Sequence, residues 1–191
     1  MQLDKDFRYW ILCEDKQTRT FLHAMLENQG ISRRKLFDCP LPAKGCGSQY
    51  VIQTYPKELA RYRTKKREKV ALLVCLDADN YSVLQRKQTL DESCQNGEIP
   101  VNARTQDDRV CIFVPKWNIE TWIYFLNEMR VVSEEKAYPH IDSREVGREG
   151  KRAGERMAEL VSGGRVSREP LPSLFDAYHE YRELCEKQRI D

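Results

Sequence analysis

Residues 70–76 (VALLVCL) form an unbroken apolar run between a basic stretch and the acidic tetrad Asp77-Ala78-Asp79-Asn80. The run is far too short for a membrane span, which needs ~18 or more apolar residues. It does not alternate with polar residues, so neither of its faces is built for water. A strand of this kind belongs in the middle of a parallel sheet, with helices on both sides. Its carboxyl end, where open parallel sheets bind their ligands, carries two carboxylates, Asp77 and Asp79.

The neighbouring segments supply partners for such a strand. Residues 8–13 (RYWILC) predict a first strand ending at Glu14-Asp15, with Asp15 as the N-cap of a helix over 16–29. Phe21, Leu22, Met25 and Leu26 give that helix one apolar face, and Gly30 suits its C-terminal end. Residues 31–48 read as a loop, 49–54 (QYVIQT) as a second strand, and Pro56 as the first turn of a second helix. Past Asn80, a helix-cap candidate by residue type, Val83, Leu84, Leu90 and Cys94 predict a third helix. Residues 109–114 (RVCIFV) predict a fourth strand, and Ile119, Trp122, Ile123 and Leu126 a fourth helix opening near Asn118. Alternating strands and helices predict an α/β fold with a mostly parallel sheet flanked by helices over 1–130.

The last third reads differently. Beyond Leu126 the only strand candidate is Val131-Val132. Residues 142–159, with five basic and five acidic residues, predict an exposed helix or a flexible segment, ended by Gly163-Gly164. Ser173-x-x-Asp176 resembles a capping box for a last amphipathic helix carrying Leu174, Phe175, Tyr178, Tyr181 and Cys185. Residues 131–191 are thus expected to be a helical extension packed on the same domain.

Composition narrows the function classes. The 191 residues carry 32% charged residues and a net charge of only +2. There is neither a membrane span nor a signal-peptide pattern, so an intracellular, cytoplasmic protein is the expectation. Seven cysteines, an odd number, argue against a disulfide framework, and Cys13, Cys75 and Cys111 sit in apolar runs as small core residues. No C-x-x-C pair exists, and Cys39 and Cys46 lack zinc-site spacing. His23, His140 and His179 show no ligand spacing either, and no P-loop motif is present.

Glu14, Asp77 and Asp79 are therefore the candidate site. Asp77 and Asp79 share a side if the extended backbone persists through them. Oxygen-only ligands suit a hard divalent cation such as Mg2+ or Mn2+ and disfavour zinc or copper. The local charge maximum is 57–69 (KELARYRTKKREK), with seven basic and two acidic residues. Arg61, Arg63, Lys65, Lys66 and Arg67 within it, and Lys116 farther on, are candidate phosphate contacts; a solvated helix end explains the run equally well. Trp117 and Tyr124 could stack on bases, whereas Trp122 falls on an apolar helix face.

The segments ILCEDKQTRTFL (11–22), LLVCLDADN (72–80) and VPKWNIETWIYFL (114–126), in this order, resemble the Toprim family. The likeness is greatest to the OLD-like nucleases and to small stand-alone Toprim-like proteins of bacterial defence systems. It covers about residues 8–127 and implies a Rossmann-like domain. Glu14, Asp77 and Asp79 would bind magnesium, with Glu14 alternatively a general acid/base. Glu120 would be a further catalytic residue or ligand, although a Glu in a first helical turn is also favoured by the helix dipole. Two positions depart from the family pattern: Asp15 replaces a Gly, and Thr18 stands where a second acid is usual. The resemblance implies a magnesium-dependent nuclease in anti-phage defence, acting on nucleic acid, DNA above all, with a partner ATPase. The missing acid at Thr18 leaves open a second expectation, a catalytically weakened subunit that binds a partner protein. A phosphatase using Asp77 as nucleophile fits less well, since such enzymes place D-x-D after the first strand and follow it with Gly-Thr.

Overall fold

The structure, a computed structural model, describes residues 2–41, 47–96, 100–128, 133–142, 144–163 and 171–189. In chain order the elements are β1 (Arg8–Cys13), α1 (Lys16–Asn28), β2 (Leu36–Asp38), α2 (Gly47–Thr64), β3 (Val70–Cys75), α3 (Val83–Asn96), β4 (Val110–Phe113), α4 (Ile119–Leu126), α5 (Val146–Gly163) and α6 (Pro172–Arg189). The four strands form one parallel sheet in the order β2-β1-β3-β4. The central pair, β1 and β3, is in register from Arg8 opposite Val70 to Cys13 opposite Cys75. An α/β domain with a parallel sheet flanked by helices is the architecture expected from the apolar runs; six α-helices flank the sheet among the described residues.

Strand alternation divides the interior into two layers. Tyr9, Ile11, Cys13, Ala71, Leu73, Cys75, Cys111 and Phe113 face a core closed by α1, α4, α5 and α6. Trp10, Leu12, Leu72, Val74 and Ile112 face the other core, closed by α2 and α3. Trp122 is fully buried, with its indole N–H donating to Ser173 Oγ at 2.8 Å.

Several expectations are corrected. QYVIQT is not a strand but part of α2, whose buried residues Val51, Ile52, Tyr55, Leu59 and Tyr62 recur at helical spacing. Pro56 lies inside this helix rather than at its start, where its ring removes the hydrogen bond to the Ile52 carbonyl. The second strand is instead the three-residue β2, within the stretch read as a loop. Asp15 does cap α1, accepting from the Thr18 N–H at 2.7 Å. Gln29 is that helix's C-cap, and Gly30 follows with φ +85°, a conformation open to glycine without strain. The cap of α3 is Ser82 rather than Asn80: Ser82 Oγ accepts from Gln85 N–H (3.1 Å), and Gln85 Oε1 accepts from Ser82 N–H (2.8 Å). Ser173 lies inside α6, and its hydroxyl accepts from Lys116 N–H and Trp122 instead of capping the helix. Val131-Val132 falls outside the described residues.

The segment 142–159 is neither fully exposed nor irregular. It contributes most of α5, which runs beside α1 in the same direction. A Cβ on Gly150 would lie 3.5 Å from the Gln17 carbonyl oxygen, and one on Gly154 only 2.2 Å from that of Phe21. Farther along, the Gln29 amide donates to the Ala158 carbonyl. Ala153, Met157, Ala158 and Val161 complete the buried seam.

The last helix, α6, covers the β4 edge of the sheet. Glu180, 8% exposed at its side chain, accepts from both Arg104 amino groups (2.6 and 2.7 Å), Lys87 Nζ (2.7 Å) and the backbone N–H of Ile112 in β4 (3.1 Å). One carboxylate thereby satisfies an edge-strand donor and two half-buried cations. Burial works to raise the Glu180 pKa, but the Arg104 and Lys87 bonds and charges outweigh it and hold the carboxyl at about 2.

Candidate acidic site at the carboxyl end of the sheet

Because β1 and β3 are adjacent, parallel and in register, the residues following them emerge side by side. Glu14 Oε1 accepts the backbone N–H of Asp77 at 2.6 Å, so the acid after β1 is joined directly to the chain after β3. The start of α2 comes against the same place: a Cβ on Gly47 would sit 3.5 Å from Glu14 Oε2, and Ser48 Oγ donates to Asp79 Oδ2 at 3.2 Å.

The two Asp residues have different surroundings. β3 ends at Cys75, and Asp79 has φ +51°, a left-handed conformation that breaks the extended alternation. The expectation that Asp77 and Asp79 share a side rested on that alternation, which the backbone does not keep. Asp79 pairs through a backbone bridge with Trp117, itself at φ +66°. Its carboxylate takes the Arg86 guanidinium at 2.8 Å. The Asp77 carboxylate, among the described residues, accepts no hydrogen bond.

Burial is the largest cause that raises the Glu14 pKa, and the charges of Asp79 and Asp15 add to it. The Asp77 N–H only partly offsets them, and the carboxyl is pushed up to about 8. Asp77 is raised well above the carboxylate range by burial, then by the charges of Glu14, Glu120, Asp15 and Asp79. Glu14 and Asp77 thus titrate as a pair that holds protons into the neutral range.

Glu120 opens α4 and is 3% exposed; its Oε1 lies 2.7 Å from Nδ1 of the exposed His140. The hydrogen bond and charge of Glu120 raise the His140 pKa. Lys116 braces the acidic turn: its Nζ donates to the carbonyls of Asp79 (2.9 Å) and Tyr81 (2.8 Å), 3.9 Å from the Trp117 ring centroid. Thr18 is buried in the first turns of α1.

The basic stretch lies elsewhere. It joins the end of α2 to the beginning of β3, at the amino end of the sheet. The six-residue β3 separates it from Asp77, a span of about 20 Å at strand rise. Arg63 there binds Asp108 at 2.7 Å and the carbonyls of Asn102 and Ala103; Lys66 lies 3.6 Å from Asp108. Lys65 pairs with Glu68, and Arg61 lies 4.5 Å over the Trp10 ring; Arg67 is exposed. Trp122 is core, and Tyr124 lies against Tyr138.

Sequence reasoning missed Arg86, Ser48 and His140. Arg86 had a usable signal: it occupies a buried position in the Arg86, Leu90, Cys94 face of α3, where a cation needs a partner. Ser48 and His140 reach the site through tertiary contacts that no local pattern encodes.

No family model, no curated protein and no solved structure matches the chain.

Proposed function

We propose that the chain is a magnesium-dependent (or manganese-dependent) phosphodiester hydrolase with a Toprim-like site, cutting nucleic acid, DNA above all, in anti-phage defence together with a partner ATPase. One observation carries the chemistry: the Glu14–Asp77 pair joins two strand ends and, among the described residues, neither carboxylate forms an ion pair, the nearby Arg86 being paired with Asp79. A divalent ion would relieve the repulsion that burial strengthens. The family assignment, the ATPase and the defence role rest on the ordered resemblance of residues 11–22, 72–80 and 114–126.

The donor set fits such an ion. Among the described residues, no three or more His, Cys, Asp or Glu side chains are grouped to enclose a metal. Magnesium does not need such a cage, since it keeps several waters and uses one or two carboxylates together with substrate phosphate. Glu14 and Asp77 would hold it; Asp79 would join on leaving Arg86. When bound, the ion supplies charge stabilisation at a phosphoryl oxygen and an acidified water. Alternatively, with Asp77 alone on the ion, Glu14 would act as the general acid/base at the scissile phosphate. Lys116 and Arg86 fix the turn that carries Asp77 and Asp79. Glu120, buried beside the pair and engaged by His140, adds negative potential at the same point.

The test is cleavage of plasmid and single-stranded substrates with Mg2+ or Mn2+. Wild type is expected to cut, and Glu14→Ala and Asp77→Ala to lose cutting. A second reading, a subunit that binds a partner protein, is favoured by the Arg86 clamp on Asp79 and by exposed Tyr81 (52%) and Leu84 (66%) beside it. Failure of wild type to cut, both alone and with the ATPase, would select that reading.

A further inference from the structure

The basic stretch and the acidic pair lie at opposite ends of the sheet, so a strand positioned for cleavage at Glu14 needs contacts at the near end. A cavity of about 440 Å³ begins there, by Lys16 and Lys151, and runs along the outer side of α1 past the end of β2 to Glu27 and Arg33 at the other end of that helix. Lys16, Arg19, Arg33 and Lys151 contribute its positive charge. Lys16 and Arg19 follow Glu14 within the first turns of α1, and among the described residues neither has a carboxylate partner. Lys151 is brought alongside by the close approach of Gly150 to Gln17 and Thr20. Of the acids in the wall, Asp38 is engaged by His23 at 2.7 Å, while Glu27 meets Arg33 only at 3.9 Å, at the far end of α1. Both α1 and α5 begin at this end, so their dipoles add positive potential.

We infer that this groove binds the phosphate backbone of the nucleic acid leading to or from the acidic pair, with Lys16, Arg19 and Lys151 as the phosphate contacts. The inference rests on the nuclease reading and names its substrate track. It needs no base-reading group, since backbone contacts position without specifying sequence. Lys151 meets Glu155 only at 3.8 Å, whereas at the amino end Arg63 and Lys65 are held by Asp108 and Glu68 at 2.7 and 2.8 Å.

The experiment is fluorescence anisotropy with a labelled single-stranded oligonucleotide in EDTA, so that binding is read without cleavage. Arg19→Glu/Lys151→Glu is compared with wild type and with Lys65→Glu/Arg67→Glu at the opposite end. Lys151, Lys65 and Arg67 are exposed and Arg19 is half-buried, and circular dichroism checks folding. The groove variant is expected to bind roughly tenfold more weakly, with the salt slope reduced by about 0.7 per lost phosphate contact. The opposite-end variant is expected to bind like wild type. Equal loss in both variants, loss only at the opposite end, or no loss in either overturns the groove assignment. So does a wild type that binds an acidic peptide but no oligonucleotide. Metal-dependent cleavage by wild type, measured separately, decides whether the nuclease reading survives any of these results.

Discussion

Two carboxylate centres sit on the same sheet and respond to burial in opposite ways. At the β4 edge, Glu180 is surrounded by Arg104, Lys87 and the Ile112 N–H, and its pKa falls to about 2. At the carboxyl end, Glu14 has one backbone N–H and three neighbouring acids, and its pKa rises to about 8. Desolvation is the largest contribution at both, so the partners decide the sign. A carboxylate whose cations come from the chain itself fastens one helix to a strand. A pair that, among the described residues, has no ion-pair partner is destabilised by its own charge, as the ionisable groups of functional sites often are.

The largest effect expected from breaking this contrast is at the brace. Glu180→Ala leaves the half-buried Arg104 without its acid and Lys87 with Asp176 alone, and is expected to cost about 3 kcal/mol, measured by urea unfolding at pH 7. At the site the sign reverses. Asp77→Asn removes one charge of a repelling pair and is expected to raise metal-free stability by about 1–2 kcal/mol at pH 8 in the same measurement. The pH profiles sharpen the point. Glu14 binds its proton more tightly folded than unfolded, so its contribution is complete below its ordinary value of 4.5 and is lost as pH rises towards 8. Metal-free stability is therefore expected to fall over that window by up to about 1.4 kcal/mol per pH unit, and Glu14→Gln to flatten the fall. Glu180, with a lowered pKa, stabilises above 4.5 and loses its contribution as pH drops towards 2, so acid unfolding of Glu180→Gln is expected to be shallower there. Magnesium is expected to raise the melting temperature more at pH 8 than at pH 5.5, and not in Asp77→Asn. The smallest effect is expected at the exposed Lys65–Glu68 pair, where Lys65→Ala changes stability by less than about 0.5 kcal/mol.

Both centres follow from short stretches of sequence to different degrees. β1, β3 and β4 were legible because their apolar runs leave no polar face, and Glu14, Asp77 and Asp79 because they stand directly after such runs. β2 was not: three residues, only Leu36 of them packed against the core, carry no period. QYVIQT misled because six residues cannot separate a buried strand from two turns of a helix, and Pro56 reads as a boundary although α2 continues through it. The seam of α5 was hidden because Gly150, Ala153, Gly154 and Ala158 pack by being small, a property that a hydrophobicity pattern does not register. Glu180 was invisible as a brace, since Lys87 and Arg104 lie 93 and 76 residues away in the chain. The clamp of Arg86 on Asp79 depends in the same way on a left-handed turn that the acidic tetrad does not spell out.

The approach of α5 to α1 bears on how this chain can diverge. At Gly154 even a methyl group would lie 2.2 Å from the Phe21 carbonyl oxygen. A descendant that replaces this glycine must separate two helices, and α1 is the helix whose start holds Glu14's neighbours Asp15 and Lys16. Drift at residue 154 is thus expected to be felt through α1 at the acidic pair, although the two are far apart in sequence. A distant relative with the same site is expected to be recognisable by one invariant glycine in an otherwise freely changing, highly charged helix.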